Sequence, residues 1–236
     1  MDRMRMLDVE WEACYERLAR GEFFHKLASG ALELRHYKGF LRESFHNTRQ
    51  NPGTMAMFAA HVKSGEPGLK AKFLKHTAME LGHDEMALDD LRVLGEDVET
   101  IRNGLPLVAT EAMTGFIMLQ IQHRNPLAFL GYSYHLEAIP VRMGSAAMGA
   151  LVNLGIPMNA VSFLKEHIEA DPVHSKWNRD YVEGFVRTAS DLEAVVYGMR
   201  GTCELHGLMF QAIDDGYEAP PISWTPAAQT SAEKQA

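Results

Sequence analysis

The chain has 236 residues, enough for one large domain or two small ones with a sizeable core. Its net charge of −8 and lack of any lysine/arginine cluster argue against a nucleic-acid partner, and no uncharged apolar run reaches the ~18 residues a membrane span needs. Cys14 and Cys203 match no metal-finger or redox spacing and read as reduced thiols; the first residues lack the apolar core of a signal peptide, so a cytoplasmic protein is expected.

Helical periodicity dominates and strand signals are almost absent. Helices are expected from about Met6 to Arg20, from Phe23 to Ser29, and from Leu34 to Gln50, where Tyr37, Phe40, Leu41 and Phe45 recur at helical spacing. Asn51-Pro52-Gly53 breaks the chain, with Thr54 expected to cap a helix reaching about Lys63. After the turn at Gly65-Glu66-Pro67-Gly68, one long helix is expected from Leu69 to Leu94. Gly95 and Gly104-Leu105-Pro106 bracket a connector. Further helices are expected over 107–123, 126–154, 158–187 and 190–215, and the Pro-, Ala- and Ser-rich residues 217–236 read as a loose tail. The expected fold is an all-α bundle of about seven to nine helices forming a single domain over residues 1–216.

One spacing occurs twice. His76, Glu80 and His83 read H-x3-E-x2-H, and His167, Asp171 and His174 read H-x3-D-x2-H. On a helix, positions i, i+4 and i+7 fall within about a 60° arc, so each set aims two imidazoles and a carboxylate in one direction. An exposed polar face would give the first pattern as well; Asp90 lies at the edge of that arc. Pro172 removes a backbone donor between Asp171 and His174, which predicts a kink there or a helix boundary.

Glu137 stands out for a different reason. From Pro126 to Leu164 only Glu137 and Arg142 carry formal charge, amid a strongly apolar stretch. An ionised carboxylate there is costly without a partner, either a metal or an arginine from another helix. Together the pieces resemble the carboxylate-bridged di-metal arrangement of helical bundles, in which Glu-x-x-His pairs are joined by single carboxylates. Glu80/His83 and Asp171/His174 supply the pairs, Glu137 one carboxylate, and Glu43 or His46 a candidate fourth contribution. Oxygen and imidazole donors without cysteine favour iron or manganese over structural zinc.

These motifs resemble those of the haem-oxygenase-like (TenA/PqqC-like) superfamily, and within it the haem-oxygenase-like di-iron oxidases, also called iron-containing redox enzymes. The resemblance spans about His25 to Phe210. Its most specific element is His167-x3-Asp171-x2-His174, which is similar to the group's third-core-helix ligand motif; Glu137 matches its lone carboxylate. The first half departs from the commonest pattern, because His76 stands where some relatives have Glu, while Glu80 and His83 match the Glu-x-x-His form of others.

The resemblance implies a metal set of His76, Glu80, His83, Glu137, His167, Asp171 and His174. It holds two irons per chain, or manganese with iron, with O2 as co-substrate and a small organic molecule as substrate. An external electron donor and a homodimer are further expectations. Competing readings are a metal-independent TenA/PqqC-like enzyme of cofactor metabolism and a haem-binding module with His25 as axial ligand. Neither cysteine sits in a nucleophile setting beside a base, which weakens the first of these. Tyr132, Tyr134 and Tyr197 read as buried, hydrogen-bonded tyrosines, the methionines as core filling, and His61 and His123 as surface residues.

Overall fold

The computed structural model describes residues 3–216, and every regular element among them is helical. Eleven α-helices follow in order: α1 (Arg3–Ala19), α2 (Glu22–Ser29), α3 (Leu34–Thr48), α4 (Asn51–His61), α5 (Pro67–Met79), α6 (His83–Val93), α7 (Val98–Asn103), α8 (Val108–His123), α9 (Ala128–Asn153), α10 (Ser162–Phe185) and α11 (Ala189–Asp214). A short 3-10 turn, Met158–Ala160, precedes α10. The expected loose tail, residues 217–236, lies outside the described residues.

The fold is all-α, as the periodicity predicts, with finer divisions. The single helix expected over 69–94 is two, because Gly82 takes a left-handed conformation (φ 92°) that stops α5 and starts α6. Thr54 lies inside α4 rather than capping it: Pro52, pre-set for a first turn, starts the helix earlier, and Thr54 Oγ1 donates to the Gln50 carbonyl. The connector after Gly95 contains α7, whose first amides are capped by Asp97. Pro172 does not end α10, which runs on to Phe185. A second interior proline, Pro140, sits within α9. Each ring removes one helix hydrogen bond, a loss that tertiary packing of these long helices offsets.

The centre of the bundle is the crossing of α9 and α11, set by two glycines. A Cβ on Gly131 would stand 1.9 Å from the Val195 carbonyl oxygen, and one on Gly198 2.0 Å from that of Ala128. Only glycine lets the backbones approach this closely. α10 packs on α9, with Gly144 against Ile168. Around this frame lie an aromatic core (Phe58, Phe73, Phe129, Tyr181 and Phe185), a cluster joining α3, α6 and the start of α10, and a third joining α1, α2 and α11.

Two buried acids pin helix starts. Asp90 in α6 accepts from the Ser162 amide (3.0 Å), the Ser162 hydroxyl (2.7 Å) and the Phe163 amide (2.9 Å), fixing the head of α10. Glu43 in α3 accepts from the Leu107 amide (2.9 Å) and the Thr110 hydroxyl (2.6 Å), fixing the head of α8. No described helix is long and apolar enough to cross a membrane.

Candidate metal centre

The break at Gly82 puts Glu80 on a turn between two helices. Glu80 caps α5, and His83 opens α6. From that turn the two carboxylate oxygens face opposite ways. Oε1 lies 3.4 Å from His76 Nε2 and 3.7 Å from His174 Nδ1, while Oε2 lies 3.6 Å from His83 Nδ1. The donor atoms of His76, Glu80 and His174 all fall within 4.8 Å of one another, and all three residues are buried. The His76 and His174 rings are 4.4 Å apart between centroids, and those of His83 and His167 5.4 Å. Glu80 thus stands between two pairs of imidazoles, one from each sequence stripe in each pair.

The electrostatics of this arrangement follow from burial and neighbours. Burial alone would raise the Glu80 carboxyl, but the His76 and His83 imidazoles facing it outweigh that and hold it below the usual carboxylate range. His76 is 1% exposed, and neither ring nitrogen makes a hydrogen bond, although one faces Glu80. A buried imidazole in that state costs stability unless something takes up its lone pair. His167 is oriented by its own helix: Nδ1 lies 2.7 Å from the Phe163 carbonyl oxygen, so it carries the proton and Nε2 presents a lone pair.

Glu137 lines the same cavity as Glu80, His167 and His174. Ser133 Oγ lies 2.9 Å from Glu137 Oε1 and 3.1 Å from Asn178 Oδ1, and can donate to one of them at a time. Arg142, the other charge of that stretch, is turned to Glu12 and the Tyr15 ring. Asp171 lies on α10 between His167 and His174, but its side chain is outside the described residues.

Two of the weaker candidates also anchor neighbouring helices. Glu43, which also lines the cavity, and Asp90 hold the helix starts described above. His46 is buried beside Phe45, and burial brings it down to about 4, with Arg49 and Arg42 adding to the effect.

Two aromatic residues on α10 complete the surroundings. Trp177 stacks on His174 at 5.4 Å and meets His76 edge-on at 5.1 Å. Tyr181 is fully buried with no hydrogen bond to its hydroxyl, and burial, with Glu137 nearby, pushes its phenol up. The spacing 167, 174, 181 repeats by seven, a signal that would have put Tyr181 on the ligand face.

The cavity measures about 180 Å³ and its walls are mainly apolar. Phe23, Phe24 and Phe40 each meet the Phe210 ring in its wall, to which Met113, Met143 and Met209 also contribute. His206 of α11 also lines it and is paired with His135 of α9, whose Nε2 lies 3.1 Å from His206 Nδ1. Burial keeps both rings neutral: His135 falls well below its ordinary value, and His206 to about 4. Sequence reading passed over His135, which has no spaced partner on its own helix.

Tyr132 Oη lies within hydrogen-bond reach of Asn47 Oδ1 and Asn51 Oδ1 and donates to one of them at a time, and Tyr134 donates to Asp8; Tyr197 is half exposed. His25 and His61 are exposed, as is His123. Neither Cys14 nor Cys203 lines the cavity; Cys203 Sγ donates to the Cys14 carbonyl at 3.1 Å.

A family model described as iron-containing redox enzyme matches residues 38–207. No curated protein matches the chain. A domain of unknown function with a haem-oxygenase-like fold from Shewanella denitrificans OS217 is similar at 22% identity, with a TM-score of 0.81 over 92% of this chain and 93% of that one. A TenA homologue from Pseudomonas syringae pv. tomato DC3000 is 11% identical, with a TM-score of 0.75 over 90% and 93% of the two chains. One from P. horikoshii OT3 is 14% identical, with a TM-score of 0.73 over 92% and 100%. At these identities the likeness establishes a shared haem-oxygenase-like fold.

Proposed function

Because the chain belongs to the iron-containing redox enzyme family, we propose that it is an O2-dependent oxidoreductase. In this reading it holds iron, two per chain or paired with manganese, and oxidises a small organic substrate in the cavity between α2, α3, α9, α10 and α11. The observation that supports this best is Glu80, one carboxylate facing His76 and His174 with one oxygen and His83 with the other. Donors of this kind suit iron and manganese, and the buried nitrogens of His76, without hydrogen bonds, fit a site that a cation completes. His76, Glu80 and His174 would form one half, with His83 and His167 flanking the other; Glu137 and Asp171 would add carboxylates.

Reduced iron bound there would supply the capacity to take up O2 and pass it electrons. The remaining tasks fall to the chain. The Phe163 carbonyl fixes the His167 ring so that its lone pair faces inward. Ser133 can steady Glu137 when it donates to it, and let go by turning to Asn178. The apolar walls keep bulk water from the reacting atoms and hold the substrate by its apolar body. An external electron donor and a homodimeric state belong to the same proposal; nucleic acid and membrane do not.

Neither alternative draws on a specific contact. A thiol-dependent TenA-like reaction lacks a cysteine on the cavity, and haem ligation by His25 lacks a ring that points inward. The test is anaerobic loading with Fe(II), elemental analysis and an optical spectrum after exposure to O2. About two irons per chain and a transient visible band are expected. Absence of iron uptake, with His174→Ala behaving like the parent, would remove the proposal.

A further inference from the structure

His135 and His206 are buried in the bundle, 0% and 7% exposed, yet His206 forms part of the cavity wall. Their rings meet edge-on at 5.3 Å, and His206 also packs on Phe210 at 4.6 Å. From Phe210 a row of ring contacts runs through Phe40 and Phe163 to His167, at 6.4, 6.2 and 4.2 Å. The pair therefore sits at one end of an aromatic wall whose other end is a candidate metal ligand.

The proton arrangement of the pair follows from one orphaned atom. His135 Nδ1 is buried with no hydrogen bond, and a neutral imidazole has one N–H and one lone pair. A buried N–H without an acceptor is rarer and costlier than a buried lone pair without a donor. His135 accordingly carries its proton on Nε2 and donates to His206 Nδ1, 3.1 Å away. His206, which lines the cavity, must then hold its own proton on Nε2, the ring nitrogen that His135 does not occupy.

We propose that the His135–His206 pair is a substrate-binding point: His206 Nε2–H donates to a carbonyl-type acceptor on an otherwise apolar ligand with a flat, aromatic-sized body. The ligand's body lies along the Phe210–Phe40–Phe163 wall, where ring stacking holds it. A cavity of about 180 Å³ accommodates about a dozen non-hydrogen atoms, taking ~15 Å³ for each water-sized occupant. This inference rests on the oxidoreductase reading for calling the ligand a substrate, but the binding point itself needs no metal.

The test uses the full-length, metal-free chain with 15N-labelled histidine. Long-range 15N–1H spectra, assigned with His206→Gln, should show His206 protonated on Nε2; protonation on Nδ1 would overturn the assignment. Two probes differing by one oxygen, 4-phenylbutan-2-one and butylbenzene, are then titrated. The ketone should bind about 3- to 10-fold more tightly, the range of one net hydrogen bond. His206→Phe should erase that preference and His206→Gln, which keeps an N–H donor, should retain it. Equal binding of the two probes, or a preference that survives His206→Phe, refutes the proposal. If His206→Phe does not fold, the tautomer and the probe ratio of the unaltered chain decide. Probe discrimination without iron uptake would leave the binding point and remove the oxygenase reading; uptake without discrimination would do the reverse.

Discussion

His174 reaches from α10 to stand 3.7 Å from Glu80, a residue on the turn between α5 and α6. The contact joins two segments almost a hundred residues apart in sequence and lies beside the cavity. Holding it together costs the metal-free protein something, since Glu80 and His76 are buried polar groups.

Glu80→Gln should keep the fold, because the amide is nearly isosteric, and weaken iron binding by at least 100-fold, since it removes the charge that faces three imidazoles. Equilibrium dialysis against Fe(II) with elemental analysis measures this. Parent-like affinity would take Glu80 out of the ligand set.

His76→Phe separates stability from metal binding. The ring lies against His174, Trp177 and Tyr181, so phenylalanine keeps those ring contacts while the buried Glu80 loses one of the imidazoles that face it, and the metal-free protein should lose roughly 1–3 kcal/mol. If iron binds as proposed, Fe(II) should raise the Tm of the parent and the variant should lose that rise. Melting curves with and without metal give both numbers, and an undiminished rise would contradict a ligand role.

Asp90→Ala tests the link between α6 and α10. It strands two amides and a hydroxyl at the head of the helix that bears His167 and His174, and should destabilise by roughly 2–4 kcal/mol. Urea unfolding reads the loss. A change under 0.5 kcal/mol would mean that Asp90 does not hold α10.

Gly198→Ala should be among the most disruptive single changes, at roughly 3 kcal/mol or more, because the added methyl meets a carbonyl rather than a flexible side chain. Gly149→Ala on the same α9 frame meets nothing within 4 Å and should stabilise slightly through helix propensity. Similar unfolding midpoints for the two variants would disprove the close crossing of α9 and α11.

Acid should weaken the fold in a defined window. Burial lowers His46 and His206 from 6.5 to about 4, so the unfolded chain binds protons at these sites before the folded one does. Their stabilising contribution is full above about pH 6.5 and is lost as pH falls towards 4, on the order of a few kcal/mol for each ring. Urea midpoints of metal-free protein from pH 7.5 to 4.5 should fall, and His46→Gln should flatten the slope. A midpoint independent of pH across that range would rule the effect out.

Most of the helical frame is legible in the sequence, because long helices with one apolar stripe announce themselves by period. The crossing that organises them is less visible: nothing local distinguishes Gly131 and Gly198, which meet backbones, from Gly149, which meets open space. The stripe His76–Glu80–His83 reads as one helix face, yet its members converge through a broken helix, since the left-handed turn at Gly82 re-aims His83. Glu43 and Asp90 look like site residues for the same reason that they are buried, but each answers unpaired amides of another helix, a demand only the tertiary structure reveals. His135 has meaning only beside His206, 71 residues away.

The turn at Gly82 bears on which metal the proposed site would take. Donors fixed along one continuous helix keep a set spacing and favour ions of one size. Here His76 and His83 ride on separate helices joined through Gly82, with Glu80 between them, so the packing of two helices rather than the repeat of one sets their spacing. At such a site, donor type and cellular supply would weigh more than ionic radius in deciding the occupant.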